Sequence, residues 1–354
     1  MNKRVLRTAS ALTGAVLALT ACGGSAETDT AAAEGQGGDL GPLTLQLSWI
    51  KNAEFAGEYF ADSNGHYTAV GFSDVTMDPG PGPIETLVAS GEADFGLSNA
   101  VATAQVIAEE DAPLKIVGTK FQKNPFTILS LADGGNIATP QDLVGKRIGV
   151  QAGGNETLFD ALLEVNGIDP ASVEKVPVEY DPAPLIDGEV DGFLAYLTNE
   201  SITVQAAGYE VTNLPFADNG LPFVAESIIT TDEMIAENPE AVKAFLEAEI
   251  LGWQDYLRDP EEGARLAVEE YGADLDLDMA KEVEQAEVQS TLIVTPDVES
   301  NGLLTISDEL IDQNLATLAA AGIDISDAED LFDLSLLEEL LEEKPELVEV
   351  PSAA

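Results

Sequence analysis

Residues 90–100 read SGEADFGLSNA and residues 187–200 read DGEVDGFLAYLTNE, and the likeness between them decides the fold. Each passes through a Gly-Glu-x-Asp turn, Gly91 to Asp94 in one and Gly188 to Asp191 in the other, into a short apolar run that ends on polar residues. Each also follows a helix-like stretch and a first strand, LTLQLSW before the former and KRIGVQ before the latter. A repeated unit of this kind predicts two similar α/β lobes. Outward from the echoes, further strand-like runs (LKIVGT, FTILSLA, VEKVPVE and FVAESIITT) alternate with amphipathic segments as far as Asp330, the pattern of mixed sheets flanked by helices. Ligands of open α/β sheets bind beyond the carboxyl ends of the strands. Four such ends, Trp49 to Asn52, Ser98 to Ala100, Ala152 to Asn155 and Tyr196 to Glu200, are therefore expected to face one cleft.

Helix starts are marked by a capping side chain before proline at Thr139-Pro140, Asn238-Pro239 and Asp259-Pro260, with Glu262 placed to complete a capping box with Asp259. After Pro239, the stripe Val242, Phe245, Leu246, Ile250, Trp253 and Leu257 assigns those side chains to the core. At the other end of the molecule, LLEELLEEKPELVEV reads as a short amphipathic helix followed by an acidic tail.

The first residues carry an address. Lys3, Arg4 and Arg7 precede an apolar run, Ala9 to Ala21, that is too short to span a bilayer, as in a secretory signal. Leu19-Thr20-Ala21-Cys22 resembles the lipobox of bacterial lipoproteins. That resemblance implies a signal peptide over residues 1–21, cleavage before Cys22, lipidation of Cys22, and a mature protein held by acyl chains on the outer face of the bacterial cell membrane. Residues 22–42, small, polar and acidic, read as a flexible tether.

Asp and Glu number 65 against 15 Lys and Arg, a formal charge of −50, which argues against nucleic acid as a partner. Hydrophobic residues make up 45% of the 354, enough for a sizeable core. Cys22 is the one cysteine and His66 the one histidine, so the chain holds no Cys/His pair beyond these two and no histidine-rich metal cluster. Without a P-loop, ATP hydrolysis would belong to partner subunits. No catalytic residue, no metal and no cofactor is expected.

Trp49, Asn52, Phe55, Gly57, Tyr59 and Ala61, then Gly65, Tyr67, the Gly-Pro run at 80–83 and ASGEADFGLS, resemble the periplasmic solute-binding proteins of ABC importers. DLVGKRIGV, TNE and ENPEAVKAFLEAEILGW fit the same family, and the likeness runs from residue 43 to residue 320. The branch is the one that binds nitrate, sulfonates, taurine and thiamine-pyrimidine precursors. The opening motif resembles that of the thiamine-precursor and riboflavin-like branch, W-x-P-N-x-x-H-x-G-x-Y, except for Lys51 and Phe55, which replace proline and histidine. The resemblance implies a type II clamshell with a closing hinge. Lobe one would take residues 43–135, cross near Asp133 to Thr139, leave 136–225 to lobe two, return near Leu221 to Ser227, and finish with 226–330. An acidic helix and tail would occupy 331–354.

Within that frame, Trp49 and Phe55 are candidates to sandwich a flat heterocycle, with core packing as the competing role. Tyr59 offers a hydroxyl, and Asn52 and Asn99 offer both donors and acceptors, Asn99 doubling as a helix cap. Ser98 and Tyr196 sit at strand ends. Gly153, Gly154 and Asn155 bare backbone amides at a helix start, a place suited to an anionic group. Asn199 and Glu200 close the family-like TNE motif, where a carboxylate can accept hydrogen bonds from an amino-pyrimidine edge. The expected function is an extracytoplasmic receptor that passes a small heteroaromatic solute, a thiamine pyrimidine precursor or a riboflavin-like molecule, to an ABC permease with its ATPase subunits. The alternatives are a sulfonate, nitrate or taurine receptor relying on the Gly153-Gly154 loop, and an enzyme similar to pyrimidine-precursor synthases, whose cysteine motif this chain lacks.

Overall fold

The computed structural model describes residues 39–325 and 327–351. The expected signal peptide, Cys22 and most of the 22–42 tether lie outside the described residues. One sheet holds β1 (Gly41–Gln46), β2 (Phe72–Asp78), β3 (Phe95–Ser98), β4 (Leu114–Phe121) and β10 (Ala225–Thr231). The other holds β5 (Phe126–Leu131), β6 (Arg147–Val150), β7 (Glu174–Pro177), β8 (Gly192–Tyr196) and β9 (Val211–Pro215). Their orders, β2-β1-β3-β10-β4 and β7-β6-β8-β5-β9, follow one plan: three parallel strands, then a strand antiparallel to both neighbours. Both sheets are mixed and flanked by helices.

The echoed turns do the same job twice. Asp94 accepts a hydrogen bond from the Thr44 amide at 2.8 Å, and Asp191 accepts one from the Arg147 amide at 2.9 Å. In return the backbone amide of each aspartate donates to the carbonyl of the same partner, at 3.0 and 2.7 Å. Each Gly-Glu-x-Asp turn thus fastens a strand to its parallel neighbour, β3 to β1 and β8 to β6.

The chain changes lobe earlier than the sequence suggests. FTILSLA, expected in lobe one, forms β5 and pairs with β8 and β9, so the first crossing is Gln122 to Pro125 instead of Asp133 to Thr139. The return runs between Pro215 and Ala225. Asn124 stitches the two crossings side by side, its Nδ2 donating to the Leu221 carbonyl at 2.8 Å and its Oδ1 accepting from the Phe126 amide at 3.2 Å. Caps differ as well. Asp259 accepts from the Glu262 amide, but the Glu262 carboxylate turns to Arg265 instead of closing a box, and Asn238 makes no side-chain cap. Over the described residues, the stretch expected as an acidic helix and tail packs against lobe one. Leu337, Leu340 and Leu347 are buried, Lys344 pairs with Glu247 at 2.5 Å, and Gln254 donates to the Leu347 and Glu349 carbonyls.

Helix Pro239–Arg258 is the keel of lobe one, with the whole predicted stripe buried. It meets helix Ala56–Ser63 at two glycines. A Cβ on Gly57 would collide with the Trp253 ring, and one on Gly252 would collide with the Gly57 carbonyl and Ala61. Beneath this contact lies a buried charge cluster. Lys120 Nζ is 2.5 Å from Glu58 and 3.8 Å from Glu226, and it sits over the rings of Trp253 and Phe55 at 5.0 and 5.4 Å. Glu249 accepts a hydrogen bond from the Tyr67 hydroxyl. Burial, with Glu58 beside it, holds the Glu249 carboxyl well above the usual carboxylate range.

Two expectations follow from this packing. Gly252→Ala should destabilise the protein by about 1–3 kcal/mol, the scale of overpacking a tight contact, read as a lower denaturation midpoint. For Glu249, a folded pKa raised above the unfolded value contributes stability that is complete below the unfolded pKa and is lost as pH rises through the folded one. Glu249→Gln removes that loss, so thermal melts across a pH series should show the variant gaining ~1–2 kcal/mol over the parent near neutrality and nothing near pH ~4.5.

Candidate functional site

Between the lobes lies a cavity of about 260 Å³. All four predicted strand ends contribute to its lining: Trp49 beyond β1, Ser98 and Asn99 beyond β3, Ala152, Gly154 and Asn155 beyond β6, and Tyr196, Asn199 and Glu200 beyond β8. The geometry has a simple cause. Parallel strands in each sheet end on the same edge, and the two edges face each other.

Four residues singled out in the sequence do not line the cavity. Phe55 and Tyr59 are fully buried in the lobe-one core, where Tyr59 stacks on Tyr271 with ring centroids 4.2 Å apart. Asn52 is buried and caps the short 3-10 helix Ala53–Phe55, accepting from the Glu54 amide at 3.0 Å. Gly153, at φ +85°, makes the turn into helix Gly154–Val165 and leaves the lining to its neighbours. In their place come residues the sequence did not announce: Glu54, Glu85, Glu226, Tyr180 and Gln151.

Those additions set the chemistry. Glu54, Glu85 and Glu226 from lobe one and Glu200 from lobe two put four carboxyls on one small cavity, and no lysine or arginine is among its described lining residues. Ser98 Oγ donates to Glu85. Glu226 holds a left-handed backbone, φ +47°, at the start of β10, and Ser48 Oγ lies 2.9 Å from both of its carboxylate oxygens. A non-glycine residue kept in that region stores strain, a recurrent mark of functional positions. Burial first, and then Glu226, hold Glu54 well above the usual carboxylate range; burial raises Glu226 too, against the pull of Lys120. Glu54 Oε1 has no partner although the residue is 1% exposed.

Glu200 is more constrained than a solvated cleft carboxylate. It is buried, with one oxygen accepting from the Tyr196 amide at 2.8 Å and the other from Asn199 Nδ2 at 3.2 Å, and burial raises its pKa in spite of those bonds. Asn199 Oδ1 accepts from Lys281 on helix Met279–Ile293 at 2.8 Å, a link from lobe two to the C-terminal helices. Asn99 spends its oxygen on the Val101 and Ala102 amides as the cap of helix Ala100–Glu110. Aromatic faces complete the walls. Trp49 meets Tyr180 edge-on across the cleft at 4.7 Å, and Tyr196 meets Phe126 likewise at 4.7 Å. The arrangement suits a flat molecule with several hydrogen-bond donors, since its walls are rings and most of its free polar groups are acceptors.

Comparisons with known proteins agree with this architecture. The family model described as NMT1/THI5 like matches residues 52–263. Riboflavin-binding protein RibY of Chloroflexus aurantiacus is 28% identical over 269 residues, 72% of this chain and 75% of that protein. A 4-amino-5-hydroxymethyl-2-methylpyrimidine phosphate synthase of Schizosaccharomyces pombe is 26% identical over 231 residues, 62% of this chain and 66% of that enzyme. Among solved structures, the periplasmic sulfonate-binding protein SsuA of Methylobacillus flagellatus KT superposes with a TM-score of 0.61 at 18% identity, covering 89% of this chain and 98% of that one. This is a likeness of fold, and the fold is that of type II periplasmic binding proteins. With two lobes of that plan and a family match across more than half its length, the chain belongs to the NMT1/THI5-like family.

Proposed function

We propose that the chain is the extracytoplasmic receptor of an ABC importer, capturing a small donor-rich heteroaromatic solute, a thiamine pyrimidine precursor or a riboflavin-like molecule, and delivering it to a permease and its ATPase subunits. The observation that carries this reading is the cavity itself: rings on its walls, four carboxyls in its lining, and no lysine or arginine among its described lining residues. A nitrate or sulfonate would meet carboxyls at close range in a site of low dielectric, where like charges repel by several kcal/mol. Of the bared turn at Gly153 and Gly154 only Gly154 belongs to the lining, at the start of helix Gly154–Val165, and it shares that lining with four carboxyls. The relatives' names point the same way, one a riboflavin-binding protein and one a pyrimidine phosphate synthase.

A receptor also fits the chain's chemistry better than an enzyme does. Its one histidine, His66, is 2.8 Å from Asp255 and away from the cavity, and its one cysteine is Cys22. In this reading Cys22 carries the lipid that holds the receptor at the membrane surface, and the acidic stretch to residue 42 lets it reach the permease. Among the described residues no helix is long and apolar enough to cross a membrane.

Two measurements test the proposal. In thermal melts, an aminopyrimidine or a flavin should raise the melting temperature by mass action while taurine and nitrate leave it unchanged. Glu200→Gln, which replaces one acceptor oxygen with a donor, should weaken calorimetric affinity by about 1.5–3 kcal/mol, or about ten- to a hundred-fold. Stabilisation by taurine alone would transfer the assignment to the sulfonate class. For the anchor, Cys22→Ser should move the protein from the membrane fraction to the soluble one, with loss of acyl mass from residue 22.

A further inference from the structure

Away from the two crossings, one hydrogen bond joins the lobes directly among the described residues: Lys281 Nζ of lobe one donates to Asn199 Oδ1 of lobe two at 2.8 Å. Both of its ends are unusual for their kind. The Lys281 side chain is only 12% exposed, and its three N–H donors meet three oxygens, Asn199 Oδ1, Glu282 Oε1 at 3.1 Å and Gln285 Oε1. Two of those acceptors lie on its own helix, Met279–Ile293, so the ammonium is positioned by lobe one alone. The helix in turn is pinned at Ala53: Glu282 Oε2 accepts from the Ala53 amide at 2.7 Å, and Gln289 Nε2 donates to the Ala53 carbonyl at 2.8 Å. Asn199 precedes helix Glu200–Ala206 as Asn99 precedes helix Ala100–Glu110, each beyond the echoed strand of its lobe. Asn99 caps its helix with its side-chain oxygen, whereas Asn199 makes no such cap and turns its oxygen to Lys281. A stabilising cap is given up for a bond to the other lobe.

We infer that Lys281 is a latch, a positioning residue that holds the two lobes together through Asn199 and so slows the escape of a solute enclosed between them. The effect on release rests on the receptor reading above; the latch itself stands on the geometry. One hydrogen bond from a charged donor is strong enough to bias the lobes toward contact. It is also readily reversed, because Glu282 and Gln285 keep the ammonium paired when the lobes part and water replaces Asn199. Helices Glu200–Ala206 and Met279–Ile293 pack against each other around the bond, which accounts for its low exposure. The latch also touches the site. Asn199 lines the cavity, and its Nδ2 donates to Glu200 Oε1 at 3.2 Å, so the side chain gripped by Lys281 orients a carboxylate of the cavity wall.

The test compares the wild-type protein with Lys281→Met, Lys281→Arg, Asn199→Ala and the double variant Lys281→Met/Asn199→Ala. Small-angle X-ray scattering reads the lobes without any ligand. Lys281→Met and Asn199→Ala should each enlarge the radius of gyration, and Lys281→Arg, which keeps the donors, should hold the compact value. Asn199→Ala leaves the lysine's partners on its own helix in place, so it decides the matter even where Lys281→Met folds poorly. Stopped-flow mixing then follows release of two probes, riboflavin and a hydroxymethyl aminopyrimidine. Loss of the latch should speed release of a bound probe by about ten-fold while association stays within about two-fold, and the double variant should release it no faster than the faster single variant. Wild-type scattering from both Lys281→Met and Asn199→Ala, or independent, multiplying effects of the two on release, would overturn the latch and leave the receptor reading standing. Expanded variants in a protein that binds neither probe would overturn the heteroaromatic receptor reading and leave the latch standing.

Discussion

The structure turns on one buried ammonium group. Lys120 is enclosed by Glu58, Glu226 and the more distant Glu249, with the rings of Phe55 and Trp253 on its other sides. Burial alone would lower its pKa, and the surrounding carboxyls outweigh that and raise it, so the side chain stays charged. Taking it out of water is costly, and the cost is met only because its partners are equally sequestered. Through Glu226 the same group reaches the cleft, and through Glu58 and Trp253 it reaches the seam between helix Ala56–Ser63 and the keel helix. One side chain thus ties the packing of lobe one to the electrostatics of the cleft.

The two lobes share a plan and divide the chemistry. Lobe one supplies three of the four cleft carboxyls and the cleft's one tryptophan, Trp49; lobe two supplies both tyrosines, Gln151, Asn155 and Glu200. Neither half makes a usable site alone. Two contacts that cross from one to the other, the Trp49–Tyr180 ring contact and the Lys281–Asn199 hydrogen bond, each include a residue of the cavity lining.

Much of this was legible in the residues. The repeated Gly-Glu-x-Asp turn revealed two lobes because each aspartate has the same structural duty, and the strand ends it implied do line the cleft. Two strands escaped notice, FSDVTMD and VTNLP. Both lie on sheet edges, where one side is partly wet and the apolar pattern thins. Phe55 and Tyr59, cleft candidates because they follow the first strand end, fall in the core for a helical reason. After the short 3-10 turn at Ala53–Phe55, neighbouring side chains point about 100° to 120° apart, so Glu54 takes the cleft side and Phe55 the core. Glu226 and Tyr180 gave no local signal, since a single acid among 65 looks like solvated surface until the fold buries it.

The strand that lies between β3 and β4 is β10, and it arrives only after the whole of lobe two. Lobe two is continuous from residue 126 to residue 215 and needs nothing downstream to complete its sheet. Lobe one, although begun first, keeps two open edges facing an empty slot until residue 225 is available. The assembly order is thus inverted relative to the order of synthesis: the inserted half can mature early, and the half that starts and ends the chain is sealed last. An unfilled slot in a sheet invites pairing with foreign strands, so the interval before β10 docks is the part of this protein's life most exposed to misassembly.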